Sequence, residues 1–198
     1  MSNPIQPLEG IKTVPAAAAK SVDPVDKEYE EGKKALEKGE FGPAAVALHN
    51  ALVGYTEKQN SSGIANASNQ LGHLCLSRED YAGALNHYRR ALTICEEAHD
   101  QMSVLALFGK MVEVYKGLGD YPAAINLCLN MLDIYYENND PQGSVKILEE
   151  MAAIYQKDGE PAKAADAYRT ISSIHRNFRH DTTAAKYLEK AEKLAGVV

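Results

Sequence analysis

The sequence predicts an all-α solenoid of antiparallel helix pairs, four pairs followed by a single capping helix. Three observations predict it: an apolar pattern that returns at a constant step without insertion, helical spacing inside each unit, and capping and turn residues between the helices.

The 40-residue step is the strongest of the three, because a register kept from Phe41 to Pro161 is hard to produce by chance. Phe41, Tyr81 and Tyr121 occupy one column, with Pro161 in the fourth place. Three residues on comes an alanine each time: Ala44, Ala84, Ala124 and Ala164. Ala51, Ala91, Met131 and Ile171 form the next column, followed by Gly54, Ile94, Ile134 and Ile174. Upstream of each ring position lie Leu71, Met111, Met151 and Ala191, then Leu74, Val114, Ile154 and Leu194, then Ala35, Cys75, Tyr115, Tyr155 and Ala195. Within a unit these columns fall at i, i+3 and i+4, one face of a helix, and no sustained alternation of period two suggests a strand.

The boundaries have their own chemistry. Asp23-Pro24 and Asp140-Pro141 place a capping carboxylate before a proline, whose missing N–H costs nothing in a first turn. Asp80 and Asp120 stand where they cap the second helix of their units. Gly39, Gly119 and Gly159 supply the permissive backbone of a helix end. The polar stretches Asn60–Gly63 and Asn138–Asp140 separate units. A final helix is expected from Thr182 to Ala195, with Ala184, Leu188, Ala191 and Leu194 inward and Lys186, Glu189, Lys190 and Lys193 outward, a polar end cap. Residues 1–22, rich in Ala and Pro, read as a flexible tail, and residues 23–198 as the repeat domain.

Composition narrows the function. The 198 residues, 45% hydrophobic, suffice for one domain with a continuous core. With 21 basic against 27 acidic side chains the net charge is −6, which lacks the basic stripe of a nucleic-acid binder. Three cysteines, Cys75, Cys95 and Cys128, are odd in number and show no C-x-x-C spacing, so a reducing, cytoplasmic setting is expected, with all three as small buried hydrophobes in core columns. The N-terminus lacks the basic start and apolar run of a secretory signal, and no window reaches the ~20 apolar residues of a membrane span. No nucleophile elbow, phosphate-binding glycine loop or paired acid–base motif occurs, so no enzyme and no cofactor are expected. His49, His73, His87 and His99 show no i, i+4 pairing and His175 and His180 are five apart, which is not a metal set. Arg176, Arg179, His180, Lys186, Lys190 and Lys193 make a basic end, but Glu189 and Glu192 interrupt it as a surface for acidic partners or anionic lipid.

These columns resemble the tetratricopeptide repeat family. Leu71-Gly72, Ala84, Tyr88 and Ala91 follow its pattern, as do Phe108, Tyr115, Tyr121 and Ala124, although Val112 replaces a glycine and Met131 an alanine. Tyr155, Ala164 and Tyr168 match in the fourth unit, with Ala152 at the glycine place, and the first unit keeps Gly32, Phe41, Ala44 and Ala51. The resemblance runs from about residue 24 to 195 and is to the branch with longer helices, since the commonest repeat has about 34 residues. It implies a right-handed superhelix whose first helices line a concave groove for a protein or peptide partner. The implied groove residues are Asn66, Asn69 and His73, with Gln70 beside them; Ala106, Gly109 and Glu113, with Lys110; and Lys146, Glu149 and Ala153, with Glu150.

The asparagines are the most informative of these. Asn is a mediocre helix former, and an amide that both donates and accepts suits the backbone of an extended peptide. Ala106 and Gly109 leave room for such a chain. Lys110 and Lys146 are fragments of a lysine–asparagine carboxylate clamp known in the family. Asn69, His73 and Glu150 occupy places where that clamp has its first lysine, first asparagine and final basic residue, which speaks against it. The sequence thus predicts a cytoplasmic adaptor that binds a partner segment in its groove. The alternative is a structural subunit that packs through its convex face or ends in a larger complex or homo-oligomer.

Overall fold

The computed structural model describes residues 23–196, so the expectation for the tail at residues 1–22 lies outside the described residues. The described chain is nine helices and no strand: α1 (Pro24–Glu37), α2 (Phe41–Glu57), α3 (Ser61–Ser77), α4 (Tyr81–Glu97), α5 (Gln101–Leu118), α6 (Tyr121–Glu137), α7 (Pro141–Lys157), α8 (Pro161–Asn177) and α9 (Asp181–Leu194). From α2 onward the helix starts are evenly spaced, at Phe41, Ser61, Tyr81, Gln101 and so on to Asp181, half the step seen in the sequence. The final helix starts and ends one residue earlier than expected, a difference within the fraying of helix ends.

One corner geometry makes this regularity. At each of the eight junctions a single residue takes a left-handed conformation: Gly39, Gln59, Glu79, His99, Gly119, Asn139, Gly159 and Arg179, with φ between 51° and 77°. The next residue donates its N–H five residues back, as Glu40 does to Ala35, Asp80 to Cys75 and Asp140 to Tyr135. The left-handed residue donates three back, as Gly39 does to Leu36 and Glu79 to Leu76. These paired bonds close the end of one helix. The residue that completes them is also the N-cap of the next helix. Asn60, Asp80, Asp100, Asp120 and Asp140 each accept, through a side-chain oxygen, the N–H three residues ahead. Asp23 caps α1 through Val25 N–H. Each such cap contributes about 1 kcal/mol.

The short corners force the chain back on itself, and each helix packs chiefly on its neighbours in sequence. Within a pair the helices run antiparallel, since Val25 meets Gly54 while Gly32 meets Leu48. Ala44, Ala84, Ala124 and Ala164 are wholly buried, as are Leu48, Val114, Ile154 and Ile171. Cys128 is buried as expected, but Cys75 and Cys95 are only half-buried, because their column lies one turn from the open end of its helix, beside the caps Asp80 and Asp100. Ser68 is buried within α3, and its hydroxyl finds no hydrogen-bond partner among the described residues.

The interior fits through exchanged volumes. A Cβ on Gly72 would lie 2.5 Å from Tyr88 Cε1, so the glycine exists to admit the ring. In the third unit the same two places hold Val112 and Cys128: the first side chain is larger, and the second smaller. Gly63 with Tyr55 and Gly143 with Tyr135 form a second such pairing, in which a Cβ on the glycine would run into the ring. Ser103 with Cys95 replaces that pairing in the middle of the chain.

Candidate functional site: the face of the odd-numbered helices

The even-numbered helices pack against the odd ones from one side, which leaves a strip of α3, α5 and α7 uncovered on the other. Asn66, Ala106 and Lys146 are exposed there, as are Gly109, Glu113, Glu149 and Ala153. Asn69, Gln70, His73, Lys110 and Glu150 are half-buried along its edge.

Two clefts join these residues. The smaller, about 150 Å³, lies between α3 and α5 and brings Asn66, Asn69 and His73 beside Ala106 and Lys110. The larger, about 830 Å³, lies between α5 and α7. Ala106, Gly109, Lys110 and Glu113 form one wall, Lys146 and Glu150 the other, and Leu105, Val112, Cys128, Met131 and Ile147 the floor. Ala106 and Lys110 border both clefts, so the two form one continuous surface. A methyl group on Gly109 would meet nothing within 4 Å, so the wall there is open.

The large cleft opens where it does because of position 128. The equivalent places hold Tyr88 and Tyr168. Tyr88 projects toward α3, its Oη 3.2 Å from His73 Nδ1 and its ring edge-on to the imidazole. Tyr168 lies under Lys190 Nζ, 5.4 Å from the ring centre, and fills the space between α7 and α9. Between α5 and α7 the short Cys128 leaves that volume empty. Burial, with Glu150 adding to it and Lys116 opposing, pushes the Cys128 thiol up to about 12, so it stays protonated and acts as an apolar floor.

Charges along the strip are largely matched. Lys110 Nζ stands 3.2 Å from Glu113 Oε2, and Lys116 reaches across from α5 to Glu150 on α7 at 2.5 Å. Lys146 makes no ion pair among the described residues. Burial holds the His73 imidazole below its ordinary value, with Lys110 reinforcing and Glu113 opposing, which favours the neutral ring. A neutral imidazole, two asparagine amides and one unengaged ammonium give a surface suited to hydrogen bonding with a peptide backbone and a few side chains.

Of the predicted groove residues, the clefts unite Asn66, Asn69, His73, Lys110, Glu113 and Lys146. Gln70 borders neither. Glu149 points the other way along the strip, its Oε1 accepting the Tyr187 hydroxyl of α9 at 2.5 Å. Sequence reasoning missed the floor, Met131 and Cys128 above all, although the break in the tyrosine column at 128 marks it. It also missed the α9 contribution. Tyr187 stacks on His175 at 5.5 Å and lies under Lys190 Nζ at 4.7 Å, so the end cap shares in the strip. No group of three or more side chains among the described residues could hold a metal, and no described helix is long and apolar enough to cross a membrane.

Comparison with known proteins agrees with this geometry. The tetratricopeptide repeat family profile matches residues 63–135, which span α3 to α6 with the smaller cleft and one wall of the larger. The nearly identical TPR-like repeats of a kinesin light chain candidate from Podosopora anserina superpose with a TM-score of 0.67 at 14% identity, covering 87% of each chain. The apo form of RapI gives 0.66 at 15% identity over 87% of this chain and 70% of its own. MamA gives 0.53 at 16% identity over 86% of this chain and 91% of its own. At these identities the likeness is one of fold. No curated protein sequence matches the chain. Repeats of this family are in general scaffolds for protein–protein interaction rather than catalysts. Residues 63–135 thus match the tetratricopeptide repeat model, and the same paired helices run on either side of them from Pro24 to Leu194.

Proposed function

We propose that the protein is an adaptor that holds an extended segment of a partner protein along the strip formed by α3, α5 and α7. The observation that carries this reading is the continuity of the two clefts through Ala106 and Lys110. In its support, the wall at Ala106 and Gly109 is low enough for a backbone to come close, Asn66 and Asn69 offer paired donors and acceptors, and Cys128, Met131 and Ile147 give an apolar floor.

The test is a pull-down from host lysate with the wild type beside an Asn69→Arg/Lys110→Glu variant, with circular dichroism on both to establish that the helices are intact. A partner retained by the wild type and lost by the folded variant supports the groove adaptor. A partner retained equally by both overturns it and moves the binding surface to the convex side or the ends of the solenoid.

A further inference from the structure

The sister units show what kind of group the large cleft lacks. The places equivalent to Cys128 hold Leu48 in the first unit and tyrosines, Tyr88 and Tyr168, in the second and fourth. Both phenol hydroxyls meet a polar side chain of the paired odd-numbered helix. Tyr88 Oη lies 3.2 Å from His73 Nδ1, and Gln156 Nε2 donates to Tyr168 Oη at 3.4 Å. A cation lies over the Tyr168 ring, Lys190 Nζ being 5.4 Å from its centre. The third unit lacks the ring and keeps its polar surroundings. Glu113 stands at the place of His73 and Lys116 at that of Gln156, and both border the large cleft. The cleft beside Tyr88 measures about 150 Å³, whereas the one above Cys128 measures about 830 Å³.

We propose that the large cleft takes a tyrosine side chain of the partner segment, a refinement that rests on the groove-adaptor reading. The ring enters between α5 and α7 past Ala106 and Gly109 and lies on the floor that Val112, Met131 and Ile147 line. Its hydroxyl donates to Glu113, whose carboxylate accepts one bond from Lys110 and keeps lone pairs for another. Charge complementarity holds on the opposite wall. Lys146 is exposed on α7 and makes no ion pair among the described residues, and its ammonium suits the negative face of a ring. An aliphatic side chain covers the same floor but gives Glu113 no donor. An acidic one pairs with Lys146 but faces Glu113 and Glu150 across the cleft. A phenol answers the floor, the carboxylate and the cation together.

The test is NMR of the full chain with labelled Met and Ile methyls. It is titrated to millimolar concentration with acetylated, amidated pentapeptides Ser-Gly-X-Gly-Ser, in which X is Tyr, Phe, Leu or Glu. The expected result is a saturable shift at the Met131 and Ile147 methyls, with Ile171 in the core unmoved. The tyrosine peptide should bind most tightly, and the phenylalanine peptide about threefold or more weakly for want of one hydrogen bond. A Val112→Gly/Cys128→Tyr variant recreates the Gly72 and Tyr88 pair and fills the cleft from within, so it should keep its helical circular dichroism and lose the response. No shift at Met131 and Ile147 in the wild type would overturn the proposal, as would tighter binding of the leucine or glutamate peptide. An equal response in the folded double variant would overturn it too. A lysate partner lost from Asn69→Arg/Lys110→Glu but kept by that folded double variant would sink the tyrosine seat alone and leave the groove adaptor standing.

Discussion

At the level of single residues, the fold is kept by pairs of side chains that share a fixed volume. Tyr88 occupies space that Gly72 leaves, and in the third unit a larger Val112 and a smaller Cys128 hold the same two places. Two consequences follow for packing and for function. Gly72→Val should cost about 1–3 kcal/mol by driving a side chain into the Tyr88 ring, and Tyr88→Cys alone should cost as much or more through the void it leaves. Together they recreate the third unit's pair, and the double variant should lose at least about 1 kcal/mol less than the sum, measured by urea unfolding of all four proteins. Simple additivity would mean that the exchange of sizes is incidental. The consequence at the surface is the larger cleft, which lies where the ring is missing. This pairing was only half visible in the sequence. The substitution of Val for Gly at 112 and of Cys for Tyr at 128 could each be seen, but the two positions belong to different helices, α5 and α6. Nothing in a column pattern says that they touch.

At the level of the helix and its corner, what matters is the left-handed residue at every junction. Glycine fills three of the eight places, and the sequence marks those three clearly. Gln59, Glu79, His99, Asn139 and Arg179 fill the others at the strain of a side chain in the left-handed region, about 1–2 kcal/mol for each. That is why the two-helix step was legible and the one-helix step was not: the backbone repeats twice as often as the side chains that advertise it. Glu79→Gly should relieve the strain, and after about 0.5–1 kcal/mol is returned to the greater freedom of unfolded glycine, a gain of about 0.5–1 kcal/mol remains. Gly119→Ala, at φ 72°, should lose about 1 kcal/mol. Thermal unfolding checks both, with melting temperatures expected to move a few degrees in opposite directions. Shifts of the same sign would show that the corners are held by their hydrogen bonds alone.

On the scale of the whole molecule, helices that touch chiefly their sequence neighbours make a chain of local contacts, and among the described residues its two end helices have a neighbouring helix on one side only. Amide exchange should therefore be slowest through α4 to α7 and fastest in α1 and in α9, where only Ala184 and Ala191 are buried. Equal protection along the chain would instead mark one indivisible unit. The overall architecture was the part most open to prediction, because it depends on sums over many columns that no single substitution disturbs. The candidate face was less so: the family resemblance pointed to Asn66, Asn69, Lys110 and Lys146, whereas Tyr187 and Lys190 came from a helix whose polarity suggested only an end cap. The uniform corner also governs how such a chain can change in length. An inserted block of one helix and one corner would fit the backbone at any junction, yet it would reverse the direction of every helix after it and trade the helices of the open strip for the outer ones. A block of two helices and two corners preserves both. Gene duplication can therefore lengthen this protein only in whole hairpins, and each accepted duplication adds one more rung to the open strip of odd-numbered helices.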